Sequence, residues 1–571
     1  MPMRALFTLK AGCILSALLL AAGCTQVDPQ PDADVIVVGG GIAGLSAALE
    51  AADEGASVMV IEINSVGGGH AVKAGGFAMV DTELQRSKGI RDSADLAWAD
   101  LQRWGEDADP FWTRRYAEES SAMVYDWLTA LGVRFTVILD TPEDSVPRFH
   151  FTRGAATNVV VPMMRKALMN PKITFLWNTR VTGLIQDGGR VAGVTVVNER
   201  NGDESSRRAA TTVLATGGFQ NNLDMVRANW SATKNTPDEI KLGAGQFATG
   251  DGYILAESAN ARLLRMDRQV TFFQGIPDPR DTTGNKALFG SNPAAIWVDA
   301  LGRRFVNEAD NSKQIESAVL ELDPMTFWMV FDADGARKLS LRGAAWLSRK
   351  KILEEIINNP EITHRAKTLG ELADKAELPY HGLQSTVEIW NRMLDVGDDY
   401  QFGRFTADDR PRGIDRIDRP PYYALRVFPL TRKSMGGPAI SPRGQVTDKA
   451  GKPIKGLYAA GELTGVAGIN GSHGGSGTFL GPSVLTGRIA GKSAARDSGM
   501  QVVIRSPKAP VYSDEIPVYN QQGYWHYDAV HRLASERAQT CDNCHNETMP
   551  MKMADKPAEM MARLNTCSSC H

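Results

Sequence analysis

Near the start of the chain, a strand, a glycine-rich turn, a helix and a second strand follow one another. The apolar run at 34–38 is typical of a buried parallel strand, and it leads into GGGIAG at 39–44. A helix is predicted over 45–54, and a second strand over 57–61 ends at Glu62. The glycines permit a tight turn, the helix N-terminus favours a pyrophosphate, and Glu62 can accept from ribose hydroxyls. This order and spacing predict a Rossmann-like βαβ unit that binds a dinucleotide.

The length and charge of the chain limit its organisation and its partners. A chain of 571 residues is too long for one hydrophobic core, so two or three domains are expected. The formal net charge of −3, with both signs interspersed, gives no sign of a nucleic-acid partner. Strand-and-glycine patterns at 212–219 and 455–462 flank a middle segment, 242–420, which mixes short strands with a helical stretch around 336–358. We predict that this middle segment is an inserted α+β domain.

Two CxxCH motifs lie near the C-terminal end, at 541–545 and 567–571. In such a motif the two thiols add to the haem vinyl groups and the His becomes the proximal iron ligand. Paired CxxC segments also bind zinc or form disulfides, but zinc does not require the His that follows both copies. We therefore predict two c-type haems. The predicted haem residues are Cys541, Cys544, Cys567 and Cys570 for attachment, and His545 and His571 for the iron.

The sequence leaves the second axial ligand of each haem open. His526 and His531 precede the first motif and could complete bis-His sites. Met residues of the same tail are rivals, and Met ligation would raise the haem potentials. These rivals are Met549, Met551, Met553, Met560 and Met561. A low-potential bis-His pair would suit a respiratory reductase, whereas a Met-ligated pair would suit a dehydrogenase that passes electrons outward.

Residues 1–24 have the pattern of an export signal. The apolar run at 11–23 is shorter than the roughly twenty residues of a membrane-spanning helix, and it fits a secretory signal peptide. LAAGC at 20–24 resembles a lipoprotein box, although Ala stands three residues before Cys24. Ordinary cleavage nearby is the alternative. We expect export to the periplasm or outer cell envelope, with a lipid anchor on Cys24 contacting the membrane and a tether at 25–33.

Seven segments of the chain, the first of which contains the glycine-rich turn at 39–44, share one family pattern. They are VIVVGGGIAGLSAAL from Val35, VGGGHAVKAGG from Val66, ATGGF from Ala215, TGDGYILA from Thr249, GRRFVNE from Gly302, GLYAAGELTG from Gly456 and GRIAGKSAA from Gly487. Together they resemble the flavoprotein family of fumarate reductases and succinate dehydrogenases. That family also contains soluble flavocytochrome c reductases, 3-ketosteroid dehydrogenases and tricarballylate dehydrogenase. The segments extend to Ala495, so the resemblance covers most of the chain.

The resemblance implies FAD as the bound cofactor and a three-part organisation. A Rossmann-like FAD-binding domain would be built from 34–241 and 421–500, with 242–420 as a capping and substrate domain over the isoalloxazine. A linker at 501–520 would lead to a small α-helical dihaem tail at 521–571. By position, the residues that the resemblance implies would line FAD are Gly39, Gly41, Gly44, Glu62, Gly69, His70, Gly76, Ala215, Gly217, Asp251, Glu462 and Ser483.

The chain departs from the family at positions that handle fumarate. The proton-donating Arg that follows VNE in fumarate-reducing members is replaced by Ser312, with Lys313 beside it as a possible substitute. HHTMGG becomes RKSMGG at 432–437, and NRLGG becomes GSHGG at 471–475, so a His and an Arg that bind substrate carboxylates are missing. The resemblance therefore does not imply fumarate itself as the substrate.

The segment HGGSGTFLGP at 473–482 is more similar to the ketosteroid dehydrogenases. There, a Tyr at the position of His473 and the backbone amide at the position of Gly477 hold the substrate carbonyl oxygen and acidify the adjacent C–H. His473 could donate the same hydrogen bond, act as acid or base, or be structural. Arg432 and Lys433 could bind a substrate carboxylate or form only a solvated basic turn.

The resemblance implies an FAD-dependent oxidoreductase that acts on CH–CH groups. A hydride would pass between flavin N5 and a carbon, and a C=C bond next to a carbonyl or carboxylate would be formed or reduced. The haems would exchange electrons with a membrane quinol-linked or periplasmic cytochrome partner. A fumarate reductase-like respiratory flavocytochrome c and an electron-transfer flavocytochrome without organic substrate are the alternatives. The sequence leaves the substrate and the direction of the reaction open.

Overall fold

The computed structural model describes residues 31–499, apart from 155, 343–346 and 410. The predicted signal segment, the linker, both CxxCH motifs and the candidate axial ligands lie outside the described residues. Within the described part, no helix combines the length and apolar character needed to cross a bilayer.

The described chain alternates helices with strands. The helices are α1 (Ile42–Asp53), α2 (Glu83–Ser87), α3 (Ala94–Gly105), α4 (Pro110–Ser120), α5 (Trp127–Ala130), α6 (Thr157–Leu168), α7 (Leu223–Ala228), α8 (Asp251–Ser258), α9 (Ser312–Leu320), α10 (Arg349–Ile352), α11 (Leu369–Ala376), α12 (Tyr380–Val396) and α13 (Leu480–Ser498). The strands are β1 (Ala33–Val38), β2 (Val58–Ile61), β3 (Phe77–Ala78), β4 (Phe135–Leu139), β5 (Phe149–Thr152), β6 (Ile173–Leu176), β7 (Thr179–Asp187), β8 (Arg190–Asn198), β9 (Glu204–Leu214), β10 (Leu263–Leu264), β11 (Gln269–Pro277), β12 (Ala287–Ser291), β13 (Ile296–Val298), β14 (Phe327–Phe331), β15 (Ser340–Arg342), β16 (Thr363–Ala366), β17 (Tyr422–Ser434), β18 (Gly437–Pro438), β19 (Gln445–Thr447) and β20 (Pro453–Ala459).

The first layer is an eight-stranded sheet that contains the predicted βαβ unit. Its parallel strands run in the order β20-β9-β1-β2-β6, with β19 antiparallel at one edge and β8 joining the β7–β8 hairpin to β9. Val35 of β1 is paired with Val58 on one side and Thr211 on the other. Parallel neighbouring strands require a crossover connection, and α1 is the crossover between β1 and β2. The predicted strand–helix–strand order is confirmed.

β1 is buried on both faces of this sheet. Val35 and Val37 pack in the core on the side of α1, α6 and α13, whereas Ile36 and Val38 pack in a second core with the β7–β8 hairpin and α8. Successive side chains of a strand point to opposite faces, so an uninterrupted apolar run is what a central strand requires.

Helices α1 and α13 approach each other closely along that sheet. A Cβ at Gly487 would lie 2.4 Å from the carbonyl oxygen of Ala43, and a Cβ at Gly491 would lie 2.2 Å from that of Ala47. Only glycine therefore allows this helix–helix distance. The contact fixes the N-terminal end of α13, which carries Ser483, beside the turn at the start of α1.

The second layer is a seven-stranded sheet built around β17, which pairs with β11, β14 and β16. The sheet order is β13-β14-β17-β11-β12-β15, and six of its seven strands come from the segment 242–420. Two details differ from the sequence-based expectation. The sheet continues through β17 to Ser434, beyond the expected boundary at residue 420, and Ser340–Arg342 form a strand inside the expected helical stretch at 336–358. Both differences depend on pairing with distant strands, which a local pattern does not specify.

Candidate active site

An open cleft lies at the carboxyl ends of the parallel strands. Its empty space, including the mouth, is about 1310 Å³, and its lining includes Gly39 after β1, Glu62 after β2, Ala215 after β9 and Ala460 after β20. Ligands of open α/β sheets bind at this edge because the loops that follow the strands meet there.

Glu62 closes one end of the cleft with both carboxylate oxygens engaged. Oε2 accepts from the amide of Gly40 at 2.6 Å, and Oε1 accepts from the amide of Asn64 at 2.9 Å. The side chain is buried, and this burial raises the pKa of Glu62 to about 7. The carboxylate is thus held at the position where a ribose would lie in the βαβ motif.

The start of α1 is open to the cleft. The N-cap residue is Gly41, which has no side chain to accept hydrogen bonds from the first amides of the helix. These amides remain available to a ligand in the cleft. A Cβ at Gly41 or at Gly217 would meet no atom within 4 Å, which shows that the space beside both residues is empty. Together with Glu62, this arrangement fits the pyrophosphate and ribose of FAD.

Ten of the twelve residues expected at FAD line the cleft. They are Gly39, Gly41, Glu62, Gly69, His70, Ala215, Gly217, Asp251, Glu462 and Ser483. Gly44 and Gly76 do not line it. A Cβ at Gly44 would lie 1.9 Å from the carbonyl oxygen of Gly39, and one at Gly76 would lie 2.3 Å from that of His150, so both glycines serve close backbone packing instead.

Two cations of β17 meet His70 and Glu462 at the other end of the cleft. Lys433 Nζ lies 3.3 Å from Glu462 Oε2 and 3.3 Å from His70 Nδ1. Arg432 Nη1 lies 3.1 Å from His70 Nε2 and donates to the carbonyl of Gly243 at 3.1 Å. A neutral imidazole has one acceptor nitrogen, so His70 can accept from only one of the two cations at a time.

Lys433 is buried, and Arg432 is half-buried. Burial lowers the pKa of Arg432 to about 10 and lowers the pKa of Lys433 as well. Both residues belong to strand β17 and pair with protein groups, which favours a role in the site over a solvated basic turn. Lys433 lines the cleft, whereas Arg432 is not among its lining residues.

The loop at 470–479 is fixed beside this end of the cleft. Ser472 donates from its amide to the carbonyl of Gly105 at 2.8 Å and from its hydroxyl to Asp107 at 2.7 Å. A Cβ at Gly474 would lie 3.0 Å from the ring of Phe479, which itself lines the cleft. The loop therefore borders the cleft through Phe479, although His473 and Gly477 are not lining residues.

Gly477 presents an unengaged amide in this loop. Its φ of +77° belongs to the left-handed region, and a Cβ would lie 2.3 Å from the amide nitrogen of Ala78, so glycine is required here. The carbonyl of Gly477 accepts from Ala78 at 3.1 Å, whereas its N–H donates to no residue of the described chain. The preceding amide, of Ser476, donates to the carboxylate of Glu143.

His473 lies in a charged cluster with Glu106 and Lys313. Its Nε2 lies 3.3 Å from Glu106 Oε1, which accepts from Lys313 Nζ at 2.7 Å. Burial, and after it the charge of Lys313, lower the pKa of His473, although Glu106 opposes the shift. The structure thus brings together two candidates from distant segments. Glu106 and Glu143 were not predicted, because neither lies in a recognisable motif.

Comparison with known proteins agrees with this site. A family model described as an FAD binding domain matches residues 34–480. The chain is 32% identical to a fumarate reductase (cytochrome) of Shewanella frigidimarina over 82% of this chain and 78% of the relative. It is 31% identical to the NADH:fumarate oxidoreductase of Klebsiella pneumoniae over 84% of this chain, but it spans only 50% of that protein's length.

A solved structure shows the same fold at a similar level of identity. The 3-ketosteroid-delta4-(5alpha)-dehydrogenase from Rhodococcus jostii RHA1, in complex with 4-androstene-3,17-dione, has a TM-score of 0.62 and 27% identity, covering 82% of this chain and 99% of that one. The match of the family model to most of the chain confirms the resemblance of the core. The chain therefore belongs to the FAD-binding flavoprotein family that includes cytochrome-type fumarate reductases and ketosteroid dehydrogenases, and it is an FAD-dependent oxidoreductase.

Proposed function

We propose that the protein is an exported FAD- and haem c-dependent oxidoreductase. It forms or reduces a C=C bond next to a carbonyl or carboxylate. The observation that carries this proposal is the unengaged amide of Gly477, in a glycine loop that also holds His473 and borders the cleft. FAD, when bound, supplies hydride transfer at N5.

The loop supplies what such a reaction needs from the protein. The N–H of Gly477 donates to the substrate oxygen and so stabilises the negative charge that develops when the neighbouring carbon loses a proton. His473 lies four residues earlier and carries out the accompanying acid–base step. Lys433, which lines the cleft, holds a carboxylate where the substrate has one, with Arg432 next to it in β17.

The relatives support an activated C–C bond as the target. The name of the Shewanella protein gives fumarate, an unsaturated dicarboxylate, and the Rhodococcus protein is bound to an unsaturated ketone. Because Ser312 and the RKSMGG and GSHGG segments replace the family's fumarate residues, we favour a substrate other than plain fumarate.

The two CxxCH motifs and the N-terminal signal complete the proposal. Haems attached at these motifs exchange single electrons with a quinol-linked or periplasmic cytochrome partner, and lipidated Cys24 anchors the protein to the membrane in the periplasm or outer envelope. The cytochrome-type fumarate reductase among the relatives favours this arrangement.

A substrate panel on the purified holoenzyme tests the function. Oxidised protein is mixed anaerobically with saturated ketones and acids, and reduced protein with their unsaturated partners. We expect at least one pair to bleach or restore the flavin band. If no member of a broad panel changes the flavin spectrum, the protein is better described as an electron-transfer flavocytochrome without organic substrate.

A further inference from the structure

Glu106 follows α3 in a backbone conformation that residues with a side chain rarely adopt. Its φ is +64° and its ψ is −61°, and the amide of Asp107 donates to the carbonyl of Gly105 at 2.8 Å. Glu106 is therefore the central residue of a γ-turn with positive φ, which is rare and strained. Strain of this kind persists only where surrounding contacts hold it, and it concentrates at functional sites.

The contacts that hold this turn belong to the loop at 470–479. Ser472 bonds to Gly105 and Asp107 on either side of Glu106, and Trp104 Nε1 donates to the carbonyl of Gly474 at 3.4 Å. The strained turn and the loop therefore form one unit. The result is that the carboxylate of Glu106 reaches His473 Nε2.

The position of Glu106 selects one tautomer of His473. A carboxylate beside Nε2 favours the proton on that nitrogen, so Nδ1 carries the lone pair of the neutral ring. Nδ1 of His473 makes no hydrogen bond within the described chain. A carboxylate that orients one imidazole nitrogen and leaves the other as proton acceptor is the arrangement found in hydrolase triads.

Lys313 offsets the effect of the carboxylate on the charge of the ring. Its Nζ lies 2.7 Å from the same Glu106 oxygen and 4.8 Å above the ring of Trp104. The other charges that face His473 are Glu316, also on α9, and Lys234, which pairs with Glu316 at 2.9 Å. Burial and Lys313 outweigh Glu106, so the pKa of His473 is lowered and the neutral ring is favoured.

We propose that Glu106 and Lys313 are positioning residues that keep His473 as a neutral general base with Nδ1 as the proton acceptor. The proposal rests on the proposed function and assigns the acid–base role within it. In oxidation, Nδ1 takes the proton from the carbon next to the carbonyl or carboxylate. The electron pair of that C–H bond forms the new C=C bond, and the neighbouring carbon gives its hydride to FAD as the two-electron oxidant. Reduction is the reverse, with the protonated ring returning the proton.

The first test follows the pH dependence of both directions in the holoenzyme. With a substrate pair from the panel, kcat/KM for oxidation should rise with pH through the pKa of His473, and kcat/KM for reduction should fall through the same value. An oxidation rate that is flat or falls across this pH range would overturn the proposal.

The second test measures the ring itself and needs no substrate. Diethyl pyrocarbonate modifies neutral imidazole, so its rate at His473, followed by mass spectrometry against pH, reports the pKa. Lys313→Met should raise this pKa and shift the oxidation profile to higher pH. Lys234→Met removes a cation of the same cluster that pairs with Glu316 rather than with Glu106. This control should shift the pKa of His473 less. Equal shifts, or none, would show that Lys313 does not set the charge of His473.

The third test separates positioning from folding. Glu106→Gln should lower kcat tenfold or more with a small change in KM, because an amide no longer fixes the tautomer. Glu106→Gly should lower kcat similarly while keeping or raising the melting temperature, because glycine relieves the positive φ. Glu377→Gly is the matched control: Glu377 ends α11 at φ +56°, and this change should raise the melting temperature without loss of kcat.

The outcomes distinguish this inference from the proposed function. If Glu106→Gly loses thermal stability together with activity, Glu106 supports the fold and the inference fails, whereas the oxidoreductase function stands. If no substrate changes the flavin band, the proposed function fails, and the diethyl pyrocarbonate measurement still decides whether Glu106 and Lys313 control His473.

Discussion

Gly477 combines three constraints at a single residue: a positive φ, contact with the backbone of Ala78 and an amide that bonds to no described residue. The first two force glycine at this position. The third is not needed for folding, because an unengaged amide adds nothing to stability. An amide held so firmly and left open is what an oxyanion site requires.

Replacement of Gly477 by Ala tests this role. An alanine with this positive φ costs about 1–2 kcal/mol. Its Cβ would also clash with the amide nitrogen of Ala78 and so move the amide of residue 477 from its present position. We expect kcat/KM to fall at least tenfold, with the FAD content unchanged. Gly451→Ala is the control, since Gly451 has a φ of +79° and open space around its Cβ. Equal losses in both variants would mean that backbone strain alone explains the effect.

Residues of the cleft could be predicted because they follow strand ends in recognisable segments. Glu62 and Ala215 each come directly after a parallel strand, and strand ends of one sheet meet at one edge. Glu106 and Glu143 could not be predicted, because their roles depend on a turn and on a loop that approaches from the other end of the chain. No local pattern in the sequence encodes those contacts.

Among the elements, the seven-stranded sheet contacts a buried ion-pair cluster that includes Glu308 of the VNE segment. Glu308 Oε2 lies 2.7 Å from Arg304 and 3.1 Å from Arg404, and Arg304 also lies 2.7 Å from Asp399. Oε1 of Glu308 accepts from the amide of Trp297 in β13 at 3.1 Å. The two cations and two anions are all nearly inaccessible to solvent.

Removal of Glu308 should therefore destabilise the seven-stranded sheet. Glu308→Ala leaves two buried arginines with a single carboxylate, for which we expect a loss of about 3–5 kcal/mol in the free energy of unfolding. Glu354→Ala removes an exposed partner that lies 3.7 Å from Lys350 and should cost less than about 1 kcal/mol. Denaturant unfolding compares them. Similar losses of unfolding free energy in the two variants would contradict the expectation that a buried ion pair contributes more to stability than an exposed one.

The three-stranded sheet β3-β5-β4 contains a buried histidine that should make stability depend on pH. His150 accepts at Nε2 from Thr82 at 2.7 Å and donates from Nδ1 to the carbonyl of Arg148 at 2.5 Å. Burial lowers its pKa from 6.5 to about 4. Between these pH values the folded state therefore binds fewer protons than the unfolded state. The contribution of neutral His150 to the free energy of unfolding is fully present above pH 6.5 and is lost as the pH falls towards 4.

Unfolding in urea at pH 7 and pH 5 measures this effect. The His150 contribution lost at pH 5 should be about 2 kcal/mol. His150→Gln keeps a hydrogen-bonding side chain without a titrating ring, so its stability should fall less between the two pH values. If the variant and the parent protein lose the same amount, His150 is not the responsible group.

Boundaries of elements were harder to predict than their order. The strand–helix–strand order of β1, α1 and β2 follows from apolar runs and glycines that are local in the sequence. The extent of β17 does not, because this strand is defined by its pairing with β11, β14 and β16. This strand carries Arg432 and Lys433, and Lys433 lines the cleft.

In the whole molecule, the cleft and the loop at 470–479 belong to the described residues, whereas the two CxxCH motifs lie beyond them. Cys541→Ser together with Cys544→Ser should reduce covalent haem from two to one per chain without loss of FAD. Haem staining after denaturing electrophoresis and the mass of the chain would show this. A chain that carries no covalent haem before mutation would contradict the prediction.

In the proposed function, a flavin site for C–C chemistry is coupled to c-type haems. The most direct test of this coupling mixes fully reduced holoenzyme anaerobically with α,β-unsaturated ketones and acids, and records flavin and haem absorbance in the same trace. We expect the flavin band to reoxidise first, with one saturated product formed per flavin, followed by oxidation of the haems. Oxidation of the haems without any change at the flavin would contradict this coupling. So would a reduced enzyme that no such acceptor reoxidises, if the saturated partners also leave the oxidised enzyme unchanged.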